Sequence, residues 1–178
     1  WVGILTANGR VFCAGADLEE LLASVDHSLE ENERHALALG EIFLALRSLP
    51  KPTVAVVHGR ALAGGAGLAT ACDLVIASEE SRLGYPEIER GFVPAMVMTM
   101  LRRAVGEKRA FDLVATGRLL SATEAEQCGL VSRVLPESGY DAAANAVLAS
   151  LAGRSVSALA LTKQLFTELD GRSFQDGI

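Results

Sequence analysis

The residues best placed to do chemistry are a glycine cluster and one carboxylate. Ala61-Leu62-Ala63-Gly64-Gly65-Ala66-Gly67-Leu68-Ala69 follows an apolar run at Thr53–Val57, and Tyr85-Pro86-Glu87 comes about one short structural unit later. A backbone with few side chains lets bare N–H groups approach a ligand. Fixed donors stabilise an oxygen on which negative charge develops, because they need no reorganisation as that charge appears. A carboxylate beside them can move protons. Plainer readings stay open at this point. The glycines can serve tight strand–helix packing alone. Glu87, just after Pro86, can be a first-turn carboxylate favoured by the helix dipole.

The other chemistry-bearing residues point to no rival site. Cys13, Cys72 and Cys128 are odd in number and widely spaced, without a CxxC pair. A disulfide framework or zinc site is not expected, and a reducing compartment such as the cytoplasm or mitochondrial matrix is. Cys13 and Cys72 read as small core residues. His27, His35 and His58 have no metal spacing. Arg102, Arg103, Lys108 and Arg109 form a modest basic patch, read as solvated surface, with a subunit or phosphate contact as the alternative. No P-loop, GxGxxG or Ser/His/Asp arrangement is visible, which counts against a nucleotide-binding loop or a triad hydrolase.

The 178 residues fit one domain with a substantial core. Half are apolar and about a fifth charged, a globular composition. No apolar run of about 18 residues suggests a membrane span. The net charge of −6 disfavours a general nucleic-acid binder. The acidity is concentrated in residues 1–50, with eight acidic and three basic side chains. A phosphate-bearing ligand would therefore depend on backbone dipoles or local cations.

The elements that must position these residues follow from pattern. Trp1–Thr6 reads as a buried strand, and a helix is expected near Asp17. Ser28 with Glu31 is a capping box opening a long helix, with Ala36, Leu39, Phe43, Leu46 and Leu49 close to one face. Pro50 and Pro52 end it. Val54–Val57 and Leu74–Ala77 read as strands covered on both faces. Between them Gly65–Ala71 has room for about two helical turns. Ala95–Ala104 and Glu107–Ala115 are candidate helices, and Ser121 with Glu124 is a second capping box. Ser132–Leu135 reads as a strand and Gly139–Ala152 as a helix. Ser155–Asp170 reads as a helix with Leu161, Leu165 and Leu169 inward. Strand–helix alternation followed by helices implies an α/β class.

Four blocks in this order resemble the crotonase (enoyl-CoA hydratase/isomerase) superfamily. They are Phe12-Cys13-Ala14-Gly15-Ala16-Asp17-Leu18; Lys51-Pro52-Thr53 through His58-Gly59 into Ala63-Gly64-Gly65-Ala66-Gly67; Cys72-Asp73-Leu74 with Leu83-Gly84-Tyr85-Pro86-Glu87; and Gly117-Arg118 through Ala122, Ala125, Gly129-Leu130-Val131 and Val134. The resemblance implies one ClpP-like crotonase domain over 1–178. It has coiled ββα units in 1–115 and a mainly helical part in 116–178 that serves trimerisation. Family members are usually longer at both ends, so it also implies further N- and C-terminal segments that help cover the ligand.

By resemblance, the amides of Ala16 and Gly64 are the oxyanion donors and Glu87 is the acid/base. Ala14, Asp17, Leu18, Gly65 and Gly67 lie along the substrate, although Asp17 is equally readable as a helix N-cap. Where two-glutamate hydratases place their first glutamate, this chain has Gly67. Tyr85 could orient a water or simply pack. The implied activity is hydration of 2-enoyl-CoA thioesters, branched ones included. The alternatives are Δ3–Δ2 enoyl-CoA isomerisation and a non-catalytic acyl-CoA-binding or assembly role. Coenzyme A would arrive as part of the substrate, so no separate cofactor is expected. The implied assembly is a homotrimer or a dimer of trimers, without nucleic-acid or membrane partners.

Overall fold

In this computed structural model, residues 1–173 and 175–177 are described, apart from the Leu18 side chain. The strands are β1 (Gly3–Leu5), β2 (Thr53–Val57), β3 (Arg60–Leu62), β4 (Leu74–Ser78), β5 (Arg82–Gly84), β6 (Leu119–Ser121) and β7 (Arg133–Leu135). The helices are α1 (Leu18–Ala23), α2 (Leu29–Ser48), α3 (Gly64–Ala71), α4 (Ala95–Val105), α5 (Glu107–Thr116), α6 (Ala122–Gln127), α7 (Tyr140–Ala152) and α8 (Val156–Glu168). Short 3-10 turns lie at Ser24–Asp26 and Pro86–Arg90.

Two sheets share the strands alternately. One is parallel, in the order β1-β2-β4-β7; the other runs β3-β5-β6. In the second, β3 pairs with β5 in parallel and β5 with β6 antiparallel. Each of the units β2–β3–α3 and β4–β5–α4 thus gives one strand to each sheet before its helix. This is the coiled ββα arrangement expected from the sequence. The chain after β1 follows the same course more weakly, since Cys13 makes a single parallel bridge to Ala61 of β3.

All five residues of β2 are buried, and they divide between two cores. Ala55 and Val57 join the main cluster with Phe43, Val97, Leu101 and Leu113. Val54 and Val56 pack with Ile76, Tyr140 and Ala144 under α7. Alternating side chains reach opposite faces, and both faces are covered. The capping boxes form as expected: Ser28 accepts from the Glu31 amide and Ser121 from the Glu124 amide, each at 3.2 Å.

Two expectations need correction, and a third holds with one exception. Trp1–Thr6 is not a buried strand: only Gly3–Leu5 pairs, at the sheet edge, and Trp1 and Ile4 are exposed. On α2 the expected face is the inward one, with Phe43 buried and Leu39 and Leu46 packed against the main core, and of that face only Ala36 is exposed. On α8, Leu161, Leu165 and Leu169 point outward, with Leu161 58 % exposed and Leu165 57 %. The residue α8 buries is Lys163. Periodicity located the apolar face of α8 but not the side on which its anchor lies.

That anchor is polar. The Lys163 ammonium donates to Asp73 Oδ2 at 2.7 Å, to the Leu46 carbonyl at 2.8 Å and to the Lys51 carbonyl at 3.2 Å. Asp73 Oδ2 also accepts from the Thr53 amide and hydroxyl, at 2.7 and 2.9 Å. One cation therefore ties α8 to the end of α2 and to the β2–β4 pair. Removing one partner of a buried pair strands the other. Lys163→Ala is expected to lower unfolding free energy by roughly 2–4 kcal/mol in urea denaturation.

Candidate active site

The segment before α1 is held by a short ladder. Phe12 N–H donates to the His58 carbonyl at 3.1 Å, Cys13 N–H to the Arg60 carbonyl at 3.1 Å, and Leu62 N–H back to the Cys13 carbonyl at 2.9 Å. Beyond Cys13 the chain leaves β3 and crosses the start of α3. Gly15 has φ +106°, and a Cβ there would sit 3.0 Å from the Ala63 Cβ. A Cβ on Gly64 would lie 4.0 Å from the Gly15 Cα. A Cβ on Gly65 would run into the Cys13 carbonyl and come within 2.6 Å of its Cβ. Glycine at 15 and 65 is thus what lets two backbone segments meet. Asp17 ends the loop as the N-cap of α1, accepting from the Glu19 amide at 2.8 Å.

The first residue before α3 is strained. Ala63 has φ +52° and ψ −127°, the one positive-φ residue other than glycine among the described residues. Such geometry costs on the order of 1–3 kcal/mol and persists only where neighbours hold it. Here the Ala63 amide donates to the Gly84 carbonyl at 2.9 Å. Its consequence is the placement of the Gly64 amide at the positive end of a helix. Among the described residues, neither the Ala16 amide nor the Gly64 amide donates to a protein acceptor. Two open donors on converging segments suit one oxyanion.

The segment leading to Glu87 is tied to the start of α3 by the same bond. Gly84, which accepts from Ala63, lies three residues before Glu87, and Pro86 opens its 3-10 turn. The turn rests on Gly117, where a Cβ would approach Pro86, Ile88 and Glu89 at 3.2–3.4 Å. Glu87 Oε2 is buried with no hydrogen-bond partner among the described residues. Burial pushes the carboxyl above its ordinary value, and its own backbone amide pulls weakly the other way. A half-buried carboxyl poised upward is suited to giving and taking protons. Tyr85 is fully buried in the core and bonded to Thr70 at 2.7 Å, so it packs and does not face a water.

Gly67 does not join this group. A Cβ at 67 would meet Val97 Cγ1 at 2.5 Å and Phe43 Cζ at 3.0 Å. The space a side chain would need is filled from α4 and α2. Ala14 and Ala16 are exposed on the loop, and the Leu18 side chain lies outside the described residues. The structure therefore brings the Cys13–Gly15 backbone against Ala63, Gly64 and Gly65, with Ala14, Ala16 and Asp17 on the same loop, and turns Gly67 into the core. Sequence reasoning gave no separate site role to Ala63, Thr70, Phe43 or Val97. Only Phe43 carried a signal, as the central apolar residue of α2.

The enoyl-CoA hydratase/isomerase family profile matches residues 2–175. The chain belongs to the enoyl-CoA hydratase/isomerase family. A Thermus thermophilus relative assigned to the enoyl-CoA hydratases is 49 % identical over 174 residues, which is 98 % of this chain and 69 % of the relative. The 2,3-dehydroadipyl-CoA hydratase of Escherichia coli is 35 % identical, over 99 % of this chain and 68 % of its own length. The crystal structure of an enoyl-CoA hydratase from Mycobacterium smegmatis superposes with a TM-score of 0.93 at 33 % identity, over 99 % of this chain and 68 % of that one. The fold is thus the crotonase fold. The chain spans about two thirds of the length of these relatives.

Within this family frame, the two glycines make separate predictions. Gly65→Ala wedges the Cys13 segment away from α3. Turnover of an enoyl-CoA is expected to fall roughly 10²–10³-fold, the usual loss for one oxyanion donor, with circular dichroism unchanged. Gly67→Glu instead overpacks the core against Phe43 and Val97. It is expected to destabilise by about 1–3 kcal/mol in thermal melts and to add no hydratase rate.

Proposed function

We propose that this protein catalyses reversible hydration of 2-enoyl-CoA thioesters, branched ones included, with Glu87 as acid/base and the Ala16 and Gly64 amides as oxyanion donors. The observation that carries this reading is the buried, unpartnered Oε2 of Glu87, coupled through the Gly84–Ala63 bond to a pair of open amides. In the hydration direction the Glu87 carboxylate takes a proton from water as the water oxygen bonds to C3. The C2–C3 π pair moves toward C1, and the thioester oxygen gains the negative charge that the two amides hold. The enolate then collapses, and C2 takes the proton back from Glu87. The loop Ala14–Leu18 and Gly65 would line the thioester, with coenzyme A supplied as part of the substrate.

A second reading is Δ3–Δ2 enoyl-CoA isomerisation, favoured by the filling of the Gly67 position by Phe43 and Val97. One carboxyl that takes a proton from C2 and returns it to C4 needs no second group to hold water. For assembly, the outward Leu161, Leu165 and Leu169 of α8 support a homotrimer or dimer of trimers. Among the described residues, no single helix is long and apolar enough to cross a membrane.

Glu87→Gln tests the central role. Turnover of crotonyl-CoA and of a 3-enoyl-CoA, followed by product mass, is expected to fall at least 10²-fold. For the wild type, a product heavier by one water identifies a hydratase, and an unchanged mass with a moved double bond identifies an isomerase. Wild-type rates in the glutamine variant would remove Glu87 from the reaction. The variant also has a stability signature. The folded carboxyl titrates above its ordinary 4.5. Its protonated form therefore contributes stability that is complete below that value and is lost as pH rises through the raised one. Glu87→Gln is expected to melt higher than wild type at pH 7–8, with the gap closing as the pH falls toward about 4.

A further inference from the structure

Glu87 lacks a hydrogen bond on its buried oxygen, so the backbone leading into it must fix its position. Two residues earlier, Tyr85 is 0 % exposed, and its one polar atom meets Thr70 Oγ1 at 2.7 Å. Thr70 has a single hydroxyl hydrogen, and that hydrogen goes to the Ala66 carbonyl at 2.8 Å. The phenol is therefore the donor. Burial holds Tyr85 well above the usual phenol range, so it keeps its proton.

Thr70 belongs to α3, the helix that begins with Gly64. The Glu87 segment is tied to α3 at two points: the Ala63 amide on the Gly84 carbonyl at one end, and the Tyr85 phenol on Thr70 near the other. Two ties to one rigid element fix both offset and rotation, where a single tie leaves a pivot. Burial alone does not call for these hydroxyls. The surroundings are the main apolar cluster, and phenylalanine at 85 with valine at 70 would fill the same space. Replacing both partners of a buried pair by apolar groups of like shape is often nearly neutral for folding.

We infer that the Tyr85–Thr70 pair is a positioning strut that registers the Glu87 carboxyl against the oxyanion helix, an inference that rests on the acid/base reading of Glu87. Neither residue touches substrate; both act through the carboxyl they place. A displacement near 1 Å can cost about 10²-fold in rate.

The test is steady-state turnover of crotonyl-CoA and 3-hexenoyl-CoA by the full-length protein, comparing wild type with Tyr85→Phe, Thr70→Val, their double variant, Thr70→Ser and Glu87→Gln. The expected result is a roughly tenfold loss of kcat in Tyr85→Phe and in Thr70→Val, with KM within about twofold. The double variant should be no slower than either single one, since both remove the same bond. Thr70→Ser, which keeps the hydroxyl, should retain the wild-type rate. If Tyr85→Phe and Thr70→Val keep full kcat while Glu87→Gln is inactive, the strut is overturned and the acid/base reading stands. If Glu87→Gln keeps full activity, or wild type turns over neither thioester, that reading falls and the strut falls with it.

Discussion

The site depends on one steric condition: the backbone at Cys13–Gly15 must lie directly on the start of α3. Gly65 has no room for a methyl group beneath the Cys13 carbonyl, and Gly15 has none beside Ala63. Everything else around the site preserves that contact. The bonds from Phe12 and Cys13 to β3 hold the loop, and the Gly84 carbonyl holds Ala63 in a conformation it would not adopt alone. Because each ββα unit contributes to both sheets, β3 and β5 sit side by side. The segments leading to Gly64 and to Glu87 therefore leave neighbouring strands.

Many polar groups elsewhere in the fold are paired. Lys163 spends its ammonium on Asp73 and two carbonyls. The Tyr140 hydroxyl lies between the Val57 and Ile76 carbonyls, and Ser81 donates to Val57. Ser78 is bonded to Glu137. The amides of Ala16 and Gly64 are open, and Glu87 Oε2 shares with His27 Nδ1 the state of a buried side-chain atom without a partner among the described residues. Buried polar groups are nearly always satisfied in native proteins, so each such vacancy calls for an explanation.

Much of this was legible in the chain. The long helices, both capping boxes, β2 and β4 came from pattern alone, because caps and buried apolar runs are local. The three-residue strands β3, β5 and β6 were not readable, since a run that short carries no period and is defined by its partners. The glycine cluster announced a close approach but not its partner. The left-handed Ala63 was invisible, because its conformation is imposed by a bond to a residue 21 positions away. The outward leucines of α8 were misassigned for a related reason. A helix normally buries its apolar stripe, and here a single ammonium does the anchoring instead.

The packing at Gly67 also limits what can be built there. A carboxylate arriving there by one substitution meets Val97 from α4 and Phe43 from α2. Space for it opens only if both of those side chains shrink, and each shrinkage alone leaves a void in the main core. The three positions are therefore coupled through packing. A second carboxylate at position 67 asks for compensating changes on two separate helices, not for one substitution.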